Sequence, residues 1–72
     1  MPAMTRHDAV QLWDAAIDHS QAVLAVDGAA RRAALTGSAE DDMKAIKAQH
    51  ELEAAIGRLK SLIAKHVEET TA

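Results

Sequence analysis

Residues 35–41, Leu-Thr-Gly-Ser-Ala-Glu-Asp, carry the signals for a reversal of chain direction between two helices. Gly37 stands where a helix commonly ends in a left-handed conformation, and Ser38 has a hydroxyl that can cap the helix that follows. Asp41, three residues later, completes a capping-box pattern and places a carboxylate at the positive end of that helix. The turn at 36–38 therefore predicts a helical hairpin.

The start of the first helix shows the same pattern as the turn, with Thr5 followed three residues later by Asp8. We expect helix one over about residues 6–35 and helix two over about residues 39–68. A chain of this length supports one domain, so we assign residues 1–72 to a single helical-hairpin domain.

One dipeptide leaves two alternatives open for helix one. Asp27-Gly28 is a turn dipeptide, and glycine inside a helix costs about 1 kcal/mol relative to alanine. Either helix one is continuous through this point, or it breaks there and residues 29–35 form a short separate helix.

The composition is that of an all-α protein with a very small core. The chain has 72 residues, of which 17 are alanine, and it contains no Phe, Tyr or Cys. Alanine with Leu, Lys, Arg, Glu and Gln is a strong helix-forming mixture, and the scarcity of aromatic and β-branched residues argues against a sheet. Because so short a chain buries little surface and no disulfide is available, we expect association with a partner chain.

The apolar residues of both helices recur at spacings of three and four, which is typical of an amphipathic helix. The stripe on helix two is wider than a coiled-coil seam, so a single hairpin leaves part of it uncovered. We predict a homodimer that closes into a four-helix bundle, since a two-fold axis lets one patch cover itself. The candidate self-association or partner interface consists of Trp13, Ile17, Leu24, Leu52, Ile56, Leu59, Leu62 and Ile63.

Positions equidistant from the turn come level in a hairpin: Ile17 with Ile56, Trp13 with residues 59–63, and Leu24 with residues 49–52. Trp13, the only aromatic residue, has two interpretations. It is either a core residue buried against helix two or the dimer mate, or a partly exposed anchor for a binding partner.

The four histidines do not form a metal-binding pattern. His50 and His66 are each followed three residues later by a glutamate, but two ligands do not make a site and the order is the reverse of the di-metal bundle motif. We predict no metal, no cofactor and solvated histidines. His50 lies nearest the apolar stripe, so we expect it to be the one in a buried polar contact or a pH-sensitive position.

The charged residues point to a solvated surface. Asp14 and Asp18 lie four apart on helix one, where we expect an acidic face in water, without a nucleophile or cleft that would make an enzyme. Arg31 and Arg32 should neutralise the acidic start of helix two at 41–42. A net charge of −3 disfavours nucleic acid as a partner.

The layout of two helices about a short turn resembles small helical-hairpin dimers of the Rop type, which bind RNA. The segment Val26-Asp27-Gly28, Arg31-Arg32 and Thr36 resembles phage head-to-tail connector proteins of the gpW type, which implies a small hairpin of strands there. The alanine-rich character is similar to small phage proteins that bind and inhibit host regulators.

The sequence thus predicts a non-enzymatic, homodimeric helical module that binds and modulates another protein, as an inhibitor or adaptor. The absence of a signal peptide or a long apolar run indicates a cytoplasmic protein without a membrane segment. Two alternatives remain open, a Rop-like nucleic-acid-binding dimer and a structural subunit of a larger phage assembly.

Overall fold

A computed structural model describes residues 4–71 of the chain. Helix α1 covers Arg6–Thr36 and helix α2 covers Ala39–Thr71, and the two pack against each other as a hairpin. The predicted all-α hairpin is therefore confirmed, and the predicted turn lies within one residue of its place. The C-terminal helix continues three residues beyond the predicted end at 68.

Both helices begin with the predicted caps. The backbone N–H of Asp8 donates to Thr5 Oγ1 at 3.1 Å, and the backbone N–H of Asp41 donates to Ser38 Oγ at 3.1 Å. Thr5 itself is extended, with φ −71° and ψ 160°. Each hydroxyl therefore satisfies one of the N–H groups that a helix start leaves without a partner.

The turn is closed by Gly37 and by the hydroxyl of Thr36. Gly37 is left-handed, with φ 62° and ψ 16°, and its N–H donates to the carbonyl of Ala33 at 2.9 Å. Thr36 Oγ1 lies within hydrogen-bond distance of the Asp41 carboxylate and accepts from the N–H of Ser38. The Thr36 hydrogen bond is the main cause that lowers the pKa of Asp41.

Helix α1 is continuous through Asp27 and Gly28, so the alternative of a break there is wrong. The strand hairpin that the connector-protein resemblance implies is also wrong, because this stretch is helical. Gly28 keeps a negative φ, and Asp27 forms an ion pair with Arg31 one turn later at 3.2 Å. A glycine penalty of about 1 kcal/mol is small beside the hydrogen bonding of a 31-residue helix.

The contact between the helices is a regular seam with heptad spacing. We call it the hairpin seam; it consists of Asp8, Leu12, Ala15, His19, Ala22, Val26, Ala29 and Ala33 from α1, and Asp41, Ala45, Ala48, Leu52, Ala55, Leu59, Leu62 and His66 from α2. All of these residues are buried or half-buried. Spacings of three and four in each helix are those of an antiparallel coiled coil.

Candidate interaction surface

The hairpin seam is too poor in large side chains to form a core. Seven of its sixteen positions are alanine, which lets the helices approach closely but buries little apolar area. Among the residues whose burial the structure describes, Ala15 alone is fully buried, with 1% of its surface exposed. Five larger apolar side chains lie half-buried in the seam, and the others lie outside it; the five are Leu12, Val26, Leu52, Leu59 and Leu62.

The molecule is elongated and exposes more surface than a compact monomer of its mass. It measures 54 × 18 × 12 Å, with a radius of gyration of 16.3 Å. A compact chain of this length would have a radius of about 11 Å. The accessible surface is 5467 Å², against about 4,300 Å² for a typical folded monomer of 7.7 kDa. The excess of roughly 1,100 Å² reflects the elongated shape of a single hairpin.

One broad side of the hairpin, which we call the charged face, is held by ion pairs between the helices. Arg58 Nη1 donates to Asp18 Oδ2 at 2.7 Å, and Arg58 Nη2 donates to Asp14 Oδ2 at 3.3 Å. Lys44, Glu51, Arg58 and Lys65 recur every seventh residue, each directly before a seam residue of α2. A shallow groove on this face is lined by Asp18, Gln21, Ala22, Ala25, Glu51, Ala54, Ala55 and Arg58.

The opposite broad side, which we call the apolar face, carries the residue that follows every second seam position, one in each heptad. Its members are Ala9, Ala16, Val23 and Ala30 from α1, with Asp42, Gln49, Ile56 and Ile63 from α2. Because successive helical residues are about 100° apart, a residue after the seam lies on the other side from one before it. Val23 is 44% exposed and Ile63 is 47% exposed. This face is therefore apolar and largely uncovered.

A third surface lies on the side of α1 that points away from α2. We call it the outer stripe; it consists of Val10, Trp13, Ile17 and Leu24. Val10, Ile17 and Leu24 are two residues from the seam positions on either side, about 200° around the helix, whereas Trp13 directly follows Leu12 and so borders the apolar face. Trp13 is 71% exposed and Leu24 is 72% exposed. The outer stripe is a row of exposed apolar side chains that is interrupted by Ser20 and Gln21 between Ile17 and Leu24.

The eight predicted interface residues thus divide between different surfaces. Leu52, Leu59 and Leu62 lie in the hairpin seam, and Ile56 and Ile63 lie on the apolar face, with Ile56 half-buried. Trp13, Ile17 and Leu24 lie on the outer stripe. Trp13 is 71% exposed, so burial of its ring against α2 within the hairpin is wrong, while burial against a dimer mate stays a prediction.

Two histidines occupy seam positions, and neither is the one expected. His50 is exposed, so its expected burial is wrong, whereas His19 and His66 are half-buried. Their heptad spacing from the seam alanines is the signal that could have identified them. Over the described residues, no cluster of three or more His, Cys, Asp or Glu side chains has the arrangement needed to hold a metal ion.

The two adjacent arginines near the turn, Arg31 and Arg32, lie beside different acidic residues. Arg32 lies beside the acidic start of α2, in a groove with Asp41 and Lys44, and it contributes to the lowered pKa of Asp41. Arg31 pairs with Asp27 on its own helix instead, so its predicted role at the start of α2 is wrong. Asp14 and Asp18 are likewise not a purely solvated pair, because both contact Arg58.

Neither α1 nor α2, within residues 4–71, has an apolar stretch sufficient to cross a membrane. Comparison with family models, with curated proteins and with solved structures gives no match to this chain.

Proposed function

We propose that this chain is a non-enzymatic interaction module, a homodimer of two hairpins that binds and modulates another protein. The observation that carries the proposal is the burial pattern: the hairpin buries Ala15 alone among the residues described, while Trp13, Leu24 and Ile63 remain exposed. A chain with so little core gains its stability by covering apolar surface with another chain.

The apolar face is suited to a second copy of the chain. Around a two-fold axis the same patch serves both subunits, so a face whose only charged residue is Asp42, at the turn end, can cover itself without a complementary partner. The excess of roughly 1,100 Å² over a compact monomer is larger than the roughly 800 Å² per partner that a standard interface buries. These two points support the homodimer.

The outer stripe is suited to a different protein. Val10, Ile17 and Leu24 point away from α2, so they stay accessible when two apolar faces meet, and Trp13 lies beside them at the rim of that interface. Trp13, Ile17 and Leu24 follow the spacing with which a helix presents its apolar side chains to a groove on a partner. Tryptophan is also enriched among the residues that dominate interface energies. We therefore favour a regulatory function, in which the chain binds its target through this stripe and acts as an inhibitor or adaptor.

The charged face supports a binding role over catalysis or nucleic-acid recognition. The carboxylates of Asp14 and Asp18 are already paired with Arg58, which leaves them poorly placed as an acid or base. Basic residues on this face alternate with Glu51 and other carboxylates, whereas phosphate binding requires an excess of positive charge. We therefore treat nucleic-acid binding only as an alternative outcome of the cross-linking experiment described next.

The experiment is site-specific photo-cross-linking in cells of the organism that encodes the chain. A photoreactive residue at Leu24 samples the outer stripe, and one at Gln21, three residues away, samples the charged face. We expect Leu24 to cross-link a discrete protein that Gln21 does not. With that protein purified, Trp13→Ala should weaken binding by about 30-fold, corresponding to roughly 2 kcal/mol at a hot spot.

The Trp13→Ala variant also serves as its own control. Trp13 is 71% exposed, so its loss should leave helicity and oligomeric mass unchanged. Equal cross-linking from Leu24 and Gln21, or recovery of nucleic acid in place of protein, would contradict the proposal. Collapse of helicity in Trp13→Ala would instead indicate that the ring is a core residue of the dimer.

A further inference from the structure

We infer that the two hairpins of the homodimer lie with their turns at the same end, so that α1 of each copy packs against α2 of the other. This inference rests on the proposed homodimer and specifies its geometry. The consequence concerns partner binding, because the geometry fixes whether the two outer stripes form one site or two.

Two arrangements are open to a pair of hairpins that meet through the same face. A two-fold axis parallel to the helices keeps both turns at one end and places α1 across from the partner's α2. An axis perpendicular to the helices, within the interface, puts the turns at opposite ends and pairs α1 with α1 and α2 with α2. Both arrangements are four-helix bundles, and the distribution of side chains on the apolar face decides between them.

The grooves between the two helices show which residues of α1 and α2 lie at the same height, that is, at the same level along the hairpin axis. At the open end, Leu12 and Leu62 line the same groove, and nearer the middle Ala22 lies with Ala54 and Ala55. Residues at one height therefore have numbers that add to about 75. A parallel two-fold axis preserves height, so the same relation holds between α1 of one copy and α2 of the other.

With this relation, the large residues of α2 lie opposite the gaps between small residues of α1. Ile56 of one copy comes level with residues 18–20, between Ala16 and Val23 of the other. Ile63 comes level with residues 11–13, between Ala9 and Ala16. Large side chains opposite gaps between small ones are the knobs-into-holes arrangement of packed antiparallel helices.

The apolar character of this face also varies along its length. Ile56 and Ile63 lie toward the open end, whereas the corresponding positions toward the turn are Gln49 and Asp42. With turns together, the isoleucines of each copy meet the alanines at the open end of the other. With turns apart and the two α2 helices fully overlapping, Ile63 would come level with about residue 47 of the partner's α2, beside Gln49, so an apolar side chain would meet a polar one in place of alanines.

The turns-together arrangement places the two α1 helices diagonally across the bundle. The outer stripes, which point away from α2 in each hairpin, then face opposite edges. The dimer therefore offers two separate and equivalent sites, and it can hold two copies of a protein partner or bridge two of them. With turns apart, both stripes would lie side by side and form one composite site.

A distance measurement between spin labels decides the geometry, and the lack of cysteine makes single labelling straightforward. Ala39, at the turn end of α2, is exposed and carries no large side chain. In the Ala39→Cys variant, turns together should give a distance of about 20–30 Å, from interaxial spacings of about 8–10 Å plus the label arms. Turns apart should give about 50 Å, the length of the 33-residue α2.

Each outcome has one meaning once the labelled variant keeps the wild-type helicity. A single short distance supports the turns-together dimer. A distance near 50 Å in a species of twice the chain mass overturns this geometry and leaves the homodimer standing. Absence of dipolar coupling in a species of one chain mass overturns the homodimer as well, so failure of the geometry and failure of the proposed function are distinguishable.

Discussion

The two broad faces of the hairpin come from the same two helices but are completed in different ways. On the charged face, Arg58 reaches across to Asp14 and Asp18, so the groups find their partners within one chain. On the apolar face, Val23 and Ile63 keep nearly half of their surface exposed, at 44% and 47%. The difference teaches that polar side chains find their partners within one chain on the charged face only, and it is the basis of our proposal that a second chain covers the apolar face.

The largest expected effect comes from placing a charge on each face in turn. Val23→Asp puts a carboxylate in the proposed dimer interface, whereas Ala25→Asp puts the same residue on the charged face two positions later. An unpaired buried charge costs about 3–5 kcal/mol, so Val23→Asp should raise the dimer dissociation constant by at least about a hundred-fold. Analytical ultracentrifugation measures this constant directly.

Ala25→Asp is the matched control, because it has the same chemistry and nearly the same position in α1. Ala25 is exposed and lines the groove of the charged face. Its variant should keep the dissociation constant of the unsubstituted chain. Equal weakening by both substitutions would remove the distinction between the faces.

A second, smaller effect tests the turn, which belongs to the hairpin and not to the dimer interface. Gly37 has φ 62° and Gly28 is helical, yet an added Cβ would meet no atom within 4 Å at either position. Gly37→Ala should therefore destabilise the fold by about 1–2 kcal/mol, while Gly28→Ala should stabilise it by about 0.5–1 kcal/mol. Denaturation at fixed chain concentration measures both.

The cap at Ser38 provides an independent test of the same turn. Ser38→Ala removes the acceptor for the Asp41 N–H and should cost about 0.5–2 kcal/mol. Unchanged melting temperatures in both Ser38→Ala and Gly37→Ala would show that the chain does not reverse at these residues.

The ion pairs of the charged face should contribute less than the turn. The side chains of Arg58 and Asp18 are 46% and 50% exposed, and exposed pairs of this kind contribute about 0.2–1 kcal/mol. A double-mutant cycle with Arg58→Gln and Asp18→Asn should give a coupling energy within that range, which falls with added salt. A coupling of zero at low salt would mean that these residues do not hold the helices in register.

The smallest expected effect is the pH dependence at Asp41. Its pKa is lowered in the folded chain, chiefly by the Thr36 hydroxyl, so the fold favours the ionised carboxylate. The resulting stabilisation is complete above the ordinary pKa of about 3.9 and is lost as the pH falls below it. Thr36→Val should reduce the loss of stability between about pH 4 and pH 2 in thermal melts. If the melting temperature of Thr36→Val falls below about pH 4 as steeply as that of the unsubstituted chain, this assignment is contradicted.

The features that the sequence predicts well are the local ones. Thr5, Ser38 and Gly37 act within one helical turn of their neighbours, so residue type alone indicates their roles as caps and turn. The continuity of α1 at Gly28 could not be read in this way, because it depends on the balance between a small local penalty and the rest of a long helix.

Which residues of α1 face α2 is harder to predict, because in an alanine-rich chain the largest apolar side chains do not have to lie at the helix contact. Trp13 and Leu24 are the largest apolar residues of their stretch, and size suggested that they face α2. The structure places Ala15 and Ala22 at the contact instead, because small side chains allow a close helix approach. The heptad repeat of charges at Lys44, Glu51, Arg58 and Lys65 was the available signal, since it marks one edge of the hairpin seam.

The measurement that tests the homodimer most directly is the mass of the purified chain in solution. Multi-angle light scattering at micromolar concentration should give twice the chain mass of 7.7 kDa. The melting temperature should rise with chain concentration, because folding and association are coupled. A species of one chain mass that melts cooperatively at a temperature independent of concentration would contradict the account.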